Sequence, residues 1–239
     1  MFSDTITLLK SVQIHGILSG TGMGCVLHKR YLDVVHAWKA HSGIAAVLII
    51  RTWETMDMSA SEKMKRKLVK ALVSVMEREP LDRITVTEIV DACEVTRPTF
   101  YRYFKDKYDL VNWHFENLAQ KSFRQMGVSL SLREGFTRKF QLMLEERVFF
   151  TSAFSSQAQN CLIDYDYECI YHFYRDVIRK KGEHFLTPDI DFLLRMYCHG
   201  SIYMTAEWAK KNMPLSPETI VENLLDALPP KLYELLKHL

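Results

Sequence analysis

Two helix starts fall inside one short stretch, Thr85–Phe104 (TVTEIVDACEVTRPTFYRYF), and this feature constrains the fold more than any other. Thr85 stands three residues before Glu88, the spacing of a capping box in which each residue satisfies the other's free backbone N–H. Thr96 is a natural helix cap, and Pro98 just after it is tolerated in a first turn, where no N–H is needed. Both helices are therefore short, and the turn at Cys93-Glu94 must be tight. Upstream, Met64, Leu68, Ala71, Leu72, Val75 and Met76 recur at helical spacing over Ser61–Glu79, and Pro80 stops that helix. Val86, Ile89, Val90, Val95 and Phe100 supply apolar contacts between the three.

The rest of the chain also reads as helix. The pattern predicts a long helix from Asp106 to about Met126, then helices near 131–145, 147–154, 164–181, 189–211, 217–227 and 230–238. Gly182 suits a C-terminal cap, Pro188 a helix start and Ser216 a cap. The fold class is all-α: an N-terminal three-helix helix-turn-helix domain followed by a larger helical domain. The domains are expected at 59–107 and 108–239. Residues 1–58 lack a sustained helical period and form an atypical extension. Met56 and Met58 stand just before the first good helix, and the native protein is expected to begin at one of them.

Composition narrows the function. The net charge is only +2, so affinity for a polyanion has to come from a local patch. Lys63, Lys65, Arg66, Lys67 and Lys70 form such a patch with no acid among them. Five cysteines without a CxxC pair read as reduced thiols in a cytoplasmic protein. The longest apolar run, Ile44–Ile50, is too short to cross a membrane, and no signal peptide is evident. No nucleophile elbow, P-loop, dinucleotide-binding loop or zincin motif is present, so no enzymatic activity and no cofactor are expected. Cys169 and His172 lie one helical turn apart, but no second pair at zinc spacing joins them, so no metal is expected.

In a helix-turn-helix, the second helix of the pair turns an exposed polar face to the major groove of double-stranded DNA. Here that face carries Thr96, Arg97, Thr99, Tyr101 and Arg102. The stretch resembles the DNA-binding signature of the TetR/AcrR family, carried by Thr99-Phe100-Tyr101-Arg102-Tyr103-Phe104 and then Lys105-Asp106-Lys107. The likeness is strong over 61–115 and continues more weakly to 228. Around Gly200, Trp208 and Met213-Pro214-Leu215-Ser216-Pro217-Glu218 the chain is similar to a subgroup that includes regulators of dihydroxyacetone kinase genes.

The resemblance implies a regulator, in most of the family a ligand-responsive repressor, that binds a palindromic operator as a homodimer. It places Thr85 and Thr87 near backbone phosphates and Thr96, Arg97, Pro98, Thr99, Tyr101 and Arg102 on the recognition helix. Arg97 is the expected base contact, since its fork matches guanine O6 and N7. Tyr101 and Tyr103 would give hydroxyls to phosphate, and Lys107 would meet phosphate at a helix start. Phe100 and Phe104 are expected in the core. The family often has glycine in the turn where this chain has Glu94, which implies strain of about 1 kcal/mol at positive φ. Dimerisation is expected through the helices at 189–211 and 217–227, by the stripes Ile190, Leu193, Leu194, Tyr197, Ser201, Met204 and Ile220, Leu224, Leu228, with Gly200 allowing close approach. A small-molecule effector would lie in the helical domain among Tyr167, His172, Phe173, Cys198, His199 and Tyr203.

Overall fold

The computed structural model describes residues 59–159 and 161–239. The extension assigned to residues 1–58, and the expected start at Met56 or Met58, lie outside them. Ten α-helices follow one another, which we number α1 to α10, and no β element beyond an isolated Met126–Leu130 bridge occurs among the described residues.

Helix α1 spans Ala60–Met76 and buries Leu68, Val69, Ala71, Leu72, Val75 and Met76, the stripe read from the sequence. It ends before Pro80 because residues 77–79 already form a turn, with Glu79 N bonded to Val75 O. Helix α2, Val86–Asp91, opens on the complete Thr85–Glu88 capping box. Helix α3, Arg97–Tyr101, opens on Thr96, with a proline in its first turn. Leu81, Ile84, Ile89, Val90, Phe100 and Phe104 close the core of this three-helix unit.

Helix α4, Lys107–Ala119, is capped by Asp106, whose carboxylate accepts from the backbone N–H groups of Tyr108 and Asp109 at 2.8 Å. It is shorter than the predicted helix to Met126. The buried Ser122 hydroxyl donates back to the Leu118 carbonyl at 2.9 Å, and a 3₁₀ turn, Phe123–Gln125, takes over. A serine hydroxyl that bonds its own preceding turn competes with the helix ladder.

The larger domain is built from α5 (Leu132–Glu145), α6 (Arg147–Ser155), α7 (Leu162–Lys181), α8 (Pro188–Lys210), α9 (Pro217–Asp226) and α10 (Pro230–Leu236). Helix α7 packs on α8, α8 on α6, and α9 on α5. Phenylalanines knit α4 to α6: Phe115 meets Phe150 edge-on at 6.5 Å, and Phe150 meets Phe149 at 5.0 Å. Each fully buried ring contributes about 1.5–3 kcal/mol of hydrophobic stabilisation.

The Met213–Glu218 segment is explained by the end of α8. Asn212 and Met213 both adopt positive φ, 63° and 55°, and Met213 N–H bonds the Trp208 carbonyl at 2.8 Å. The Trp208 indole packs edge-on against Phe140 and donates to the Leu215 carbonyl at 3.0 Å, which ties the turn down. Ser216 then caps α9.

Candidate nucleic-acid interface

The α2–α3 pair is held by short-range bonds that follow from its sequence. Glu88 Oε2 accepts from both the N–H and the hydroxyl of Thr85 at 2.7 Å, and Glu88 N–H returns a bond to the Thr85 hydroxyl at 3.2 Å. The Thr85 bonds hold the Glu88 carboxyl below the usual carboxylate range. The Thr85 hydroxyl is therefore spent inside the box, where the resemblance had it facing phosphate.

In the turn, Glu94 has φ 53°, the left-handed region that the resemblance implied for this position. Val95 N–H bonds the Val90 carbonyl at 3.0 Å and closes the loop. Thr96 then starts α3: its hydroxyl accepts from Thr99 N–H at 3.4 Å and lies 3.0 Å from the Thr99 hydroxyl.

One face of α3 is solvent-exposed and the other is sealed. Thr96, Arg97, Pro98, Tyr101 and Arg102 are exposed, and Thr99 and Tyr103 are half-buried. Phe100 is fully buried and Phe104 nearly so, as expected for core residues. The Arg97 guanidinium bridges the two helices. It donates to the Thr87 hydroxyl at 3.4 Å and the Tyr101 hydroxyl at 3.5 Å, and lies 6.0 Å from the Tyr101 ring centre. Thr87 thus sits beside Arg97, and the pair reaches outward from adjacent helix starts.

Lys107 lies elsewhere than expected. Its ammonium donates inward to the carbonyls of Asp82 at 2.9 Å and Ile84 at 2.7 Å. Burial lowers its pKa, and the nearby Asp82, Asp106 and Glu88 carboxylates offset part of that. This side chain ties α4 to the turn before α2 and has at most one N–H left for a phosphate. Of the basic patch on α1, Lys63, Arg66, Lys67 and Lys70 are exposed, while Lys65 folds over the Trp113 ring at 5.4 Å.

The exposed face, the capped helix starts and the tight left-handed turn are the features of a DNA-reading helix-turn-helix. Residues 68–112 match the family model described as bacterial regulatory proteins, tetR family, and residues 131–229 match one described as a transcriptional regulator C-terminal region. The chain belongs to the TetR family. Together the two models take in both domains of the described structure.

Two curated relatives agree. The chain is 26% identical over 103 residues to the HTH-type dhaKLM operon transcriptional activator DhaS of Lactococcus lactis subsp. lactis (strain IL1403), over 41% of this chain and 53% of that protein. It is 27% identical over 85 residues to the uncharacterized HTH-type transcriptional regulator YvdT of Bacillus subtilis (strain 168), over 36% of this chain and 44% of that protein. The match thus spans about half the length of either relative. A solved structure, of a dihydroxyacetone kinase operon activator DhaS, superposes with TM-score 0.50 at 18% identity, over 69% of this chain and 93% of that one. At that identity the likeness speaks for the fold alone, and it agrees with the all-α reading.

The six residues expected to line an effector site do not gather around one cavity. Tyr167 stacks flat on His199 at 3.9 Å and on Tyr171 at 5.8 Å, at the surface between α7 and α8. His172 and Phe173 border an open cleft of about 460 Å³ with Gln120, Arg124 and Lys180. Cys198 is sealed in the core, where burial pushes its thiol up to about 12, and Tyr203 is 62% exposed on the outer side of α8. Alternate positions along a helix point to different sides, so residues close in sequence here part company in space. Among the described residues, no three His, Cys, Asp or Glu side chains are placed to hold a metal ion, and no helix is long and apolar enough to cross a membrane.

Helix α8 corrects the dimer stripes. Ile190, Leu194 and Tyr197 are buried against their own subunit, as are Ile220, Leu224 and Leu228. The outward apolar face of α8 keeps Met204 of the expected stripe, 53% exposed, and adds Phe192, Met196 and Tyr203, exposed by 63%, 59% and 62%. Gly200 lies on this face, and a Cβ there would have nothing within 4 Å.

Proposed function

We propose that the chain is a sequence-specific DNA-binding regulator of transcription. It acts as a homodimer on a palindromic operator and responds to a small molecule bound in its helical domain. The observation that carries this reading is α3: a capped five-residue helix whose Arg97, Tyr101 and Arg102 face solvent while Phe100 is sealed beneath. A helix so placed can enter the major groove, with Arg97 reading a guanine edge and Thr87, Thr96, Thr99 and Tyr101 setting register on the backbone. Tyr103, half-buried, gives its hydroxyl to phosphate in this reading, while Lys107 ties α4 to the turn before α2.

The outward stripe of α8 supports the dimer. Four large exposed apolar side chains in a row with a glycine form a patch that soluble monomers rarely leave uncovered. Two recognition helices related by the dimer axis would read half-sites about one DNA turn apart. Repression is the proposed outcome, by blocking of a promoter. The activator named in the L. lactis relative favours activation as the second reading.

The test is titration of the protein onto labelled DNA from the intergenic region beside its own gene, at two salt concentrations, with an Arg97→Ala control. Specific, salt-sensitive binding that Arg97→Ala weakens supports the reading. No binding at low salt by folded, dimeric protein removes it. Reporter expression with and without the gene then separates repression from activation.

A further inference from the structure

We infer that Asp82 is a positioning residue for DNA recognition, which rests on the DNA-binding reading above: its carboxylate locks the helix-turn-helix to the sensor domain and so sets how α3 is presented. Asp82 lies in the turn between α1 and α2. One carboxylate oxygen accepts from the hydroxyl of Ser156 and from that of Tyr108, the latter at 3.2 Å. The other accepts from Gln157 N–H at 3.2 Å. Ser156 and Gln157 are the first residues after α6, and Tyr108 belongs to the first turn of α4. One side chain of the α1–α2 turn thus holds both the start of α4 and the segment that follows α6.

The backbone around it is engaged as well. The Asp82 and Ile84 carbonyls take the Lys107 ammonium, and Leu81 N–H donates to the Ser152 hydroxyl of α6 at 3.2 Å. Beside these bonds the joint is open. A cleft of about 490 Å³ separates the Glu77–Asp82 segment from Arg147, Thr151 and Asn212. Leu81 and Asp82 make the hydrogen bonds that join the α1–α2 turn to the end of α6.

Ser156 is built for this partner. It is 4% exposed, donates to Asp82, and accepts from Ala158 N–H at 3.3 Å. Within the three-helix unit Leu68, Leu72, Leu81, Ile84, Ile89 and Phe100 are buried, as part of a core that runs on into the larger domain, so packing holds the unit together besides the lock. What the lock fixes is orientation. A displacement at the end of α6 moves Ser156 and Gln157, and the Asp82 turn, with α2 and α3 behind it, must follow or let go. Coupling of this kind requires an element that both sites bias.

The experiment uses the full chain with Asp82→Ala, Ser156→Ala and Ser156→Thr, read by hydrogen exchange and by binding to the DNA identified above, including copies with the half-site spacing changed by one base pair. Asp82→Ala and Ser156→Ala are expected to keep wild-type protection of the α3 amides, to speed exchange at Leu81 and Gln157 about ten-fold, and to weaken DNA binding about ten-fold. Their preference between spacings should shrink, because an unlocked unit adapts, and Ser156→Thr should restore it. Wild-type affinity and spacing preference in both alanine variants would overturn the proposal. So would loss of protection throughout α1–α3, which would make Asp82 an ordinary folding residue. If the wild-type protein binds no DNA, the regulator reading fails by itself, and unchanged exchange at Leu81 and Gln157 would still overturn the lock.

Discussion

The ammonium of Lys139 on α5 lies 3.0 and 2.9 Å from the two carboxylate oxygens of Asp166 on α7, and both side chains are buried. The rings of Phe123 and Phe115 stand 5.5 and 6.0 Å from the same nitrogen. Burial pushes the Asp166 carboxyl up, and Lys139 draws part of that back. Removing one partner leaves the other charge uncompensated in an apolar interior. Asp166→Asn or Lys139→Met should therefore cost about 3–5 kcal/mol, whereas Lys139→Met combined with Asp166→Leu should cost far less. Denaturant midpoints of the three variants decide it; a double variant as unstable as the singles would contradict the argument.

Arg97 is the exposed cation best placed for a base edge, since it projects from the first turn of α3 and is steadied by Thr87 and Tyr101. Arg97→Ala should weaken operator binding by about 1–3 kcal/mol and relax selectivity at one base pair, while replacing an exposed α1 lysine such as Lys67 should weaken all sequences alike and lower the salt slope by about 1. Titrations on the operator and on single-base variants at several salt concentrations separate the two. Equal losses on every sequence from Arg97→Ala would make it a phosphate contact.

Glu94 pays for the turn twice, by a left-handed backbone at φ 53° and by a carboxylate on the side proposed to meet DNA. Glu94→Gly relieves a strain of about 1 kcal/mol, offset in part by the greater freedom of glycine in the unfolded chain. The variant should be at least as stable as wild type in urea and should bind DNA more tightly. Weaker DNA binding would mean that Glu94 makes a favourable contact of its own.

Much of this was legible in the residues because it is local. The Thr85–Glu88 box, the Thr96 cap with Pro98 behind it, and the buried α1 stripe depend on spacing alone, and each stands where spacing puts it. What spacing cannot rank is one face of a helix against another when both are apolar. Helix α8 carries Ile190, Leu194 and Tyr197 on one side and Phe192, Met196 and Tyr203 on the other, and only packing against α6 and α7 decides which turns inward. Long-range bonds were invisible for a related reason. Asp82 meets Ser156 across more than seventy residues of chain, and Lys107 turns to carbonyls more than twenty residues back.

The Asp82 lock has a pH signature. Its bonds, that from Ser156 foremost, hold the carboxyl below the ordinary aspartate range despite an opposing effect of burial. A carboxyl lowered in the folded state stabilises the fold above its unfolded pKa of about 3.9 and loses that contribution as pH falls through the lower folded value. The stability advantage of wild type over Asp82→Asn should thus be constant from neutral pH down to the unfolded pKa, decline below it, and be gone once pH is below the folded value. Urea midpoints of the two proteins between pH 7 and acid test this; an advantage that grows on acidification would contradict the assigned sign.

Gly200 separates what helix stability wants from what a dimer wants. Glycine inside a helix costs about 1 kcal/mol relative to alanine, and here nothing within the subunit requires it, since an added Cβ meets open space. If the outward face of α8 packs against its own copy, the small residue serves the partner. Gly200→Ala should then raise the stability of a monomer, while Gly200→Leu should leave the subunit folded but weaken the dimer. Met196→Asp, which places a charge among Phe192, Gly200 and Tyr203, should abolish it. Sedimentation of the three variants at matched concentrations reads the outcome. A dimer of undiminished affinity in both Gly200→Leu and Met196→Asp would move the interface off this face.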